Sequence, residues 1–258
     1  MGTPPGGARS LFVTATAPKS NRVLVNFAPI FSQTRLLCGL LTSAPRNRPS
    51  PMTTRGAGIV AGMENLSGRT LFVAAVDAEA AHIPDGEALL ITGIGTVPAA
   101  ISLTEVLAEA RAHDALPERV VNIGTAGALV DGMDGVFEIN KVTKHDFKLD
   151  VLTDISRYLL PEFIELETSG ELPARGLATG DMFVSTTALR NELVKKSQLC
   201  DMEGYSVAAT CQRFGVPCTL LKQVSDSANE ESMGTWAGVL DRSARQLAAA
   251  AAELGFLR

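Results

Sequence analysis

The sequence predicts an α/β fold in which helices flank a mostly parallel sheet. Two observations carry this prediction: short apolar runs typical of buried strands occur throughout residues 70–258, and segments with helical spacing alternate with them. Alternation of this kind is typical of strand–helix–strand units, whose helices cover both faces of one sheet. No internal repeat interrupts the pattern.

Each element is predicted from its own pattern. A helix is expected from Val97 to Arg111, because Leu103, Val106 and Leu107 share one face. Further helices are predicted at residues 187–195, 204–214 and 235–254, the last of them rich in alanine. Strands are predicted at residues 71–76, 88–92, 119–123, 136–142, 177–178, 199–202 and 218–224. Residues 146–174 are ambiguous, and residues 124–127 are interpreted as a turn that ends the third strand.

Composition excludes several classes of protein. The chain has 258 residues and a formal net charge of -5, so it is long enough for a sizeable core and is not an obvious nucleic-acid binder. No stretch of 18 uncharged apolar residues occurs, which argues against a membrane span. Four scattered cysteines without a CxxC pair favour neither a disulfide framework nor structural zinc. We expect a reduced, cytoplasmic enzyme.

The first 62 residues differ from the rest. Seven basic residues and no acidic residue precede Glu64, and seven of the 13 prolines lie before residue 52. Proline interrupts each short apolar run there, so no element of normal length fits. The segment is interpreted as a disordered basic arm, a transit peptide or, preferably, sequence upstream of a true start near Met63. Residues 63–258 are predicted to be the catalytic domain.

Polar residues follow the predicted strands, at the edge where ligands bind in folds of this kind. They are Asp77 and Glu79, Gly93 and Gly95, Asp181 to Phe183, Asp201 to Glu203, and Ser225 with Asp226. The glycine pair lacks the third glycine of a dinucleotide fingerprint, no phosphate-binding P-loop occurs, and no serine or cysteine lies in a nucleophile-elbow context. Carboxylates are therefore the expected catalytic groups.

Six motifs in order resemble one known family. They are Ala75-Val76-Asp77-Ala78-Glu79, Thr92-Gly93-Ile94-Gly95, Asn122-Ile123-Gly124-Thr125-Ala126-Gly127, Thr179-Gly180-Asp181-Met182-Phe183-Val184, Asp201-Met202-Glu203-Gly204 and Val224-Ser225-Asp226. This set resembles the purine nucleoside phosphorylase/uridine phosphorylase superfamily, nearest to its methylthioadenosine/S-adenosylhomocysteine nucleosidases. The resemblance implies a three-layer αβα fold with a central mixed, mostly parallel sheet. It covers none of residues 1–62.

The resemblance implies cleavage of a nucleoside N-glycosidic bond through an oxocarbenium-like ribose. Asp226 matches the acid that protonates the leaving purine, and such an acid must be kept protonated by an apolar or anionic setting. Glu79 matches the carboxylate that activates water, and Glu203 matches the acceptor for the ribose hydroxyls. Taken singly, each of the three has a plainer interpretation, as a helix cap or a solvated acid at a helix start.

The same resemblance assigns the remaining contacts with a nucleoside. Phe183 is expected to stack on the base, the backbone of Val184 to read the base edge, and Met202 to pack on the sugar. Three further substrate-binding residues are expected near the water, ribose and base: Thr125, Lys222 and Ser225. No cofactor and no metal are implied. A homodimer acting in methionine salvage is the implied setting.

The residues favour hydrolysis over phosphorolysis. Phosphorylases of this superfamily clamp phosphate with arginines, whereas this chain has Asn122 and Glu79 at those places. A phosphorylase and a non-catalytic nucleoside-binding protein stay as alternatives. Only 12 residues separate Glu79 from Thr92, so one family hairpin is expected to be missing, and with it part of the pocket for the 5′-substituent. Lys222 and Asp201 replace the family's usual arginine and glutamate.

Overall fold

The computed structural model of the chain describes residues 65–147 and 158–258. The predicted N-terminal extension at residues 1–62 lies outside the described residues, so its three interpretations stay predictions. Within the described residues there are eight strands and four helices: the seven strands and four helices that the sequence predicts, in the predicted order, and one short strand inside the ambiguous stretch.

The strands are β1 (Thr70–Ala74), β2 (Ala88–Ile91), β3 (Arg119–Ala128), β4 (Val136–Lys144), β5 (Phe163–Glu165), β6 (Ala174–Thr179), β7 (Leu199–Asp201) and β8 (Cys218–Asp226). The helices are α1 (Thr96–Ala112), α2 (Thr187–Leu193), α3 (Gly204–Phe214) and α4 (Ser232–Glu253). Helix α3 ends at Gly215, whose φ of 69° is the left-handed conformation that glycine adopts without strain.

Helices cover both faces of the sheet, as predicted. Leu71 and Val73 of β1 point into a core shared with α1 and α3, including Leu103 and Val207. The alternate residue Phe72 points into a second core beneath α4. Because both faces of β1 are buried, its sequence is a continuous apolar run rather than an alternating one. The three-layer αβα prediction is therefore confirmed.

The sheet is mixed and mostly parallel. Strand β1 pairs in parallel with β2 and β3, β3 with β8, and β6 with both β4 and β7. The antiparallel pairings are β3 with β7, and β4 with β5 and β8. Five strands thus pair in a closed cycle, β3–β8–β4–β6–β7. This cycle brings the ends of β3, β7 and β8 together.

The predicted end of the third strand is wrong. Residues 124–127 are not a turn, because β3 continues through them to Ala128 and pairs with β8 as far as Gly127. Glycine is needed there for close packing: a Cβ on Gly127 would lie 3.0 Å from the Cys200 Sγ and 3.2 Å from an oxygen of Asp226. The same run of small residues therefore serves a crowded strand rather than a turn.

The connection between β1 and β2 is short. Residues 75–87 contain turns and no strand, which agrees with the expectation that a hairpin is missing there. The glycines that follow β2 form the predicted tight turn into α1, since Gly93 and Gly95 have φ values of 82° and 106°. In the described part of the chain, no helix is long and apolar enough to cross a membrane.

Candidate active site

One cavity of about 160 Å³ lies at the ends of β3, β7 and β8. Eight of the nine residues that the sequence predicts for the site line it: Glu79, Thr125, Phe183, Val184, Met202, Glu203, Ser225 and Asp226. Six residues outside that prediction also line it: Ile94, Ala126, Gly127, Met182, Cys200 and Asp201. The cavity therefore lies where the strand ends predicted it, and six of its 14 lining residues were not predicted.

Glu79 is held rigidly at one end of the cavity. One oxygen of its carboxylate accepts hydrogen bonds from the backbone N–H and the hydroxyl of Thr125, both at 2.8 Å. The other oxygen accepts from the backbone N–H of Ala75 at 3.2 Å. The side chain is only 5% exposed, so the plain interpretation of a solvated acid is wrong. A carboxylate fixed by three donors is well placed to accept a proton from water.

Asp226 ends β8 at the other end of the cavity. One of its oxygens accepts from the backbone N–H of Ala228 at 2.8 Å, and the other accepts from the Ser225 hydroxyl at 2.7 Å. Its neighbour across the sheet is Gly127, three residues along β3 from the Gly124 that faces Glu79. Two carboxylates therefore lie against one strand, separated by about 10 Å of extended backbone.

Glu203 lies at the start of α3. Its carboxylate accepts a hydrogen bond of 2.8 Å from the backbone N–H of Gly95, the residue that precedes α1. Burial raises the pKa of Glu203 to about 7, and the charge of Asp201 adds to the rise, while Lys222 and the Gly95 amide oppose it. The carboxyl group is therefore close to half protonated at neutral pH.

Lys222 differs from its predicted role, because it does not line the cavity. Its ammonium lies behind the wall, 2.9 Å from a carboxylate oxygen of Asp201, and both side chains are 1% exposed. Burial lowers the pKa of Lys222, but the surrounding carboxylates, Asp201 first, outweigh that effect and raise it overall. Lys222 is a buried counter-charge, and direct contact with a substrate is not supported.

Asp201 connects this ion pair to the backbone. Its second carboxylate oxygen accepts from the Thr179 hydroxyl at 2.5 Å, and the oxygen that meets Lys222 also accepts from the Gly204 N–H at 2.8 Å. A buried ion pair is stable only when its remaining donors and acceptors are satisfied in this way. The ion pair therefore fixes the end of β7 against the first turn of α3. Glu203 is the residue directly before that turn.

The rim of the cavity is apolar and open. Phe183 and Met182, which follow β6, are 38% and 54% exposed, whereas Val184 is buried behind them. Met202 lies between Asp201 and Glu203 on the inner wall. An aromatic ring at the mouth of a cavity whose depths are acidic suits a ligand with a flat base and a polar sugar.

Cys200 is a lining residue that the sequence analysis missed. Its thiol donates to the carbonyl of Gly127 at 3.6 Å. Burial raises the pKa of this thiol strongly, and the charges of Asp226 and Asp201 add to the effect, so it is not a nucleophile. The one available signal was its place, directly before the Asp201-Met202-Glu203 motif at the end of a strand.

The side chains in and around the cavity bear on two kinds of chemistry, phosphorolysis and metal-assisted cleavage. Among the described residues, no arginine or lysine lines the cavity, and Asn122 is turned away from it, donating to the carbonyl of Val73 at 2.9 Å. A phosphate dianion would meet carboxylates there without fixed cationic donors. Among residues 65–147 and 158–258, no group of three histidine, cysteine or carboxylate side chains is arranged to hold a metal ion.

Comparisons with known sequences agree with the motifs. Residues 174–255 match the sequence model of the phosphorylase superfamily. The aminodeoxyfutalosine nucleosidase of Helicobacter pylori is 31% identical over 146 residues, which are 49% of this chain and 64% of that protein. The 5′-methylthioadenosine/S-adenosylhomocysteine nucleosidase of Shewanella putrefaciens is 29% identical over 199 residues, 68% of this chain and 83% of that protein. The chain thus spans less than two thirds of the first relative.

Solved structures agree with the fold. The 5′-methylthioadenosine/S-adenosylhomocysteine nucleosidase of Helicobacter pylori superposes with a TM-score of 0.60 at 23% identity, over 74% of this chain and 99% of that one. Futalosine hydrolase of the same organism superposes with a TM-score of 0.58 at 23% identity, over 70% and 96%. The predicted fold class is therefore confirmed, and the match of residues 174–255 to the family model confirms the resemblance to the superfamily.

Proposed function

From this likeness to the phosphorylase superfamily, we propose that the chain is an N-ribosyl hydrolase that cleaves the N-glycosidic bond of a purine nucleoside. The reaction releases the free base and the ribose moiety. One observation carries the proposal: the buried carboxylate of Glu79 and the half-buried carboxylate of Asp226 lie at opposite ends of one cavity, with Glu203 on the wall of the same cavity. Bond cleavage with an acid at one end and a base at the other needs this arrangement.

In the proposed reaction, the bond between the anomeric carbon and the purine nitrogen breaks as Asp226 donates its proton to the base. Water attacks the anomeric carbon of the oxocarbenium-like ribose and loses a proton to Glu79. The anionic interior of the cavity favours the positive charge that develops on the sugar. The proton held by Glu79 then returns to Asp226 through solvent, so that the enzyme is restored.

The other lining residues bind the substrate in this proposal. Phe183 stacks on the base, and the backbone of Val184 contacts its edge. Met202 packs on the ribose, whose hydroxyls donate to the Glu203 carboxylate. Two hydroxyl residues orient the carboxylates, since Thr125 donates to Glu79 and Ser225 donates to Asp226. Lys222 acts indirectly, by holding Asp201 in place.

The 5′-substituent is proposed to be a methylthio or homocysteinyl group, which would place the enzyme in methionine salvage. The names of the relatives support this class, and the H. pylori relatives add aminodeoxyfutalosine as a substrate to test. The described β1–β2 connection contains turns and no hairpin, so substrates with bulky 5′-groups belong among those to test. The substrate panel is therefore methylthioadenosine, S-adenosylhomocysteine, aminodeoxyfutalosine, adenosine, inosine and 5′-deoxyadenosine.

A homodimer is the proposed assembly. Val97 and Ile101 on the first two turns of α1 are 61% and 55% exposed, and they continue the apolar rim formed by Ile94 and Met182. Exposed apolar surface of this kind often marks an interface, and a second copy would enclose the mouth of the cavity. Sedimentation at micromolar concentration distinguishes this dimer from a monomer.

Two variants test the proposed chemistry. We expect Asp226→Asn and Glu79→Gln to reduce base release about 10²- to 10⁴-fold, because each removes one proton transfer while keeping shape. Substrate binding, measured by calorimetry, should persist in Asp226→Asn. Asp77→Asn is the matched control: it makes the same charge change next to Glu79, at an exposed residue outside the cavity.

Three results would contradict the proposed chemistry. Wild-type base release by Asp226→Asn would contradict the assigned acid, and normal hydrolysis by Glu79→Gln would mean that another group activates the water. Binding of a nucleoside by the wild-type chain without any base release would favour a non-catalytic binding protein.

A further inference from the structure

We propose that Asp181 is a positioning residue that fixes the base-contacting loop, residues 181–184, onto the start of α1. The inference rests on the proposed function, because it concerns how the base and ribose contacts are held in register. It adds a role for a residue that lies outside the lining of the cavity, at the rim.

Helix α1 needs a cap that its own sequence does not supply. The residue before the helix is Gly95, there is no side-chain cap, and the first turn has no acidic residue. Asp181 supplies the cap from 85 residues away: its carboxylate accepts from the Thr96 N–H at 2.6 Å and from the Thr96 hydroxyl at 2.5 Å. A carboxylate at a helix N-terminus is stabilised by the helix dipole as well as by these bonds.

The start of α1 also holds the ribose carboxylate. The Gly95 N–H donates to Glu203, and the next N–H along the chain donates to Asp181. Glycine is required between them, because a Cβ on Gly95 would lie 3.1 Å from an Asp181 oxygen and its φ is 106°. The carboxylates of Glu203 and Asp181 thus accept from successive backbone N–H groups. These contacts link Asp181, which precedes Met182 and Phe183 of the base-contacting loop, to Glu203, the proposed acceptor for the ribose hydroxyls.

A second set of contacts holds the Asp181 backbone, and its lysine, Lys144, also lies 3.9 Å from the Asp181 carboxylate. The Asp181 N–H donates to Asp146 at 2.7 Å, and the Lys144 ammonium lies 3.0 Å from the other Asp146 oxygen. Phe183 and Met182 have too much exposed surface for packing alone to hold them. The polar contacts of Asp181 therefore hold the first part of the loop, whereas Val184 at its end is held by packing.

The test compares Asp181→Ala with a matched control, Glu230→Ala. Glu230 caps α2 with the same geometry, accepting from the Thr187 N–H at 2.9 Å and from its hydroxyl at 2.8 Å. It does not line the cavity. Each variant loses one charge-assisted cap, so both should lower the melting temperature by about 2–4 °C. Only the Asp181 variant should alter the site.

Two readouts separate positioning from general destabilisation. By hydrogen–deuterium exchange, Asp181→Ala should speed exchange at residues 94–98 and 181–184, whereas Glu230→Ala should speed it only at the start of α2. In base release, Asp181→Ala should raise KM about tenfold with kcat changed less than threefold, and Asp181→Asn should recover part of the loss. Glu230→Ala should leave KM within about twofold of wild type.

Unchanged exchange at residues 181–184 in Asp181→Ala would overturn the proposal. So would an equal rise in KM in Glu230→Ala, because the effect would then follow stability alone. Exchange is measured without substrate, so it decides the role of Asp181 even if the wild-type chain releases no base from any nucleoside. That last result would count against the proposed function instead.

Discussion

At the scale of single residues, the pKa of the Glu203 carboxyl group is set by its buried surroundings. Its carboxyl group is buried beside Asp201, and the two nearest compensating groups are the Lys222 ammonium and the Gly95 amide. Other titratable groups that face it are Glu79, across the cavity, and Asp226 on β8. With a pKa raised from 4.5 to about 7, Glu203 exchanges its proton in the range where the enzyme would work.

We expect the acid limb of the kcat/KM profile to follow Glu203. The ribose hydroxyls need the charged carboxylate as acceptor, so kcat/KM should fall as pH drops below about 7. Glu203→Gln should lower kcat/KM at all pH values and remove this inflection. A profile flat between pH 5.5 and about 8, or the same inflection in the Gln variant, would contradict the assignment.

The raised pKa of Glu203 also affects stability. As pH rises, activity is expected to increase while stability decreases. Between pH 4.5 and about 7 the folded protein binds more protons at Glu203 than the unfolded chain does. Its contribution to the free energy of unfolding therefore falls as pH rises through that range, by about 3 kcal/mol in total. Denaturant unfolding of wild type and Glu203→Gln at pH 5 and about 8 measures this difference.

Site residues could be predicted from the sequence when they directly follow or end a strand. Glu79 and Asp226 follow or end apolar strands, and the ends of parallel strands meet at one edge of a sheet. The error at Lys222 has a different origin. Lys222 and Gln223 point to opposite faces of β8, and sequence alone does not say which polar side chain meets a buried counter-charge. Cys200 carried no signal of its own.

At the scale of elements, the glycines of β3 and α3 were the hardest to interpret. Glycine commonly ends a strand, so Gly124 and Gly127 predicted a turn. In the structure a Cβ on Gly124 would lie 3.1 Å from the Lys222 ammonium and 3.4 Å from Glu79. Gly124 has no side chain, which makes room for these two charged groups. The need for glycine at this position depends on residues far away in sequence, so the local pattern could not reveal it.

Gly204, the first residue of α3, gives a test of the same idea. Gly→Ala in a helix normally stabilises a protein by about 0.5–1 kcal/mol. Here a Cβ would lie 2.6 Å from Leu177 and 2.9 Å from the Asp201 oxygen that binds Lys222. We therefore expect Gly204→Ala to destabilise the fold by about 1–3 kcal/mol and to reduce activity, because Asp201 and Glu203 must shift.

Gly238→Ala in α4 is the control for that substitution. Nothing lies within 4 Å of a Cβ at Gly238, so the usual stabilisation should appear there. Urea unfolding of both variants measures whether each substitution lowers or raises the free energy of unfolding. If Gly204→Ala were as stable as Gly238→Ala and fully active, close packing at the start of α3 would not be needed.

At the scale of the whole molecule, the closed cycle of five strands explains how residues from distant parts of the chain meet. In the cycle β3–β8–β4–β6–β7, the end of β7, with Asp201, and the end of β8, with Asp226, flank the end of β3. The parallel part of this arrangement follows from strand–helix alternation. The antiparallel pairings of β3 with β7 and β4 with β8 do not, because they depend on where strands lie in space rather than on connection length.

In the proposed reaction this cavity uses water, and not phosphate, to cleave a nucleoside. The most direct measurement is release of free base by the full chain from each nucleoside of the panel, by chromatography, with phosphate absent and then added. We expect base and free sugar to form without phosphate, at a rate that phosphate does not increase, because carboxylates rather than cations line the cavity. Release that requires phosphate and yields a sugar phosphate would contradict the account.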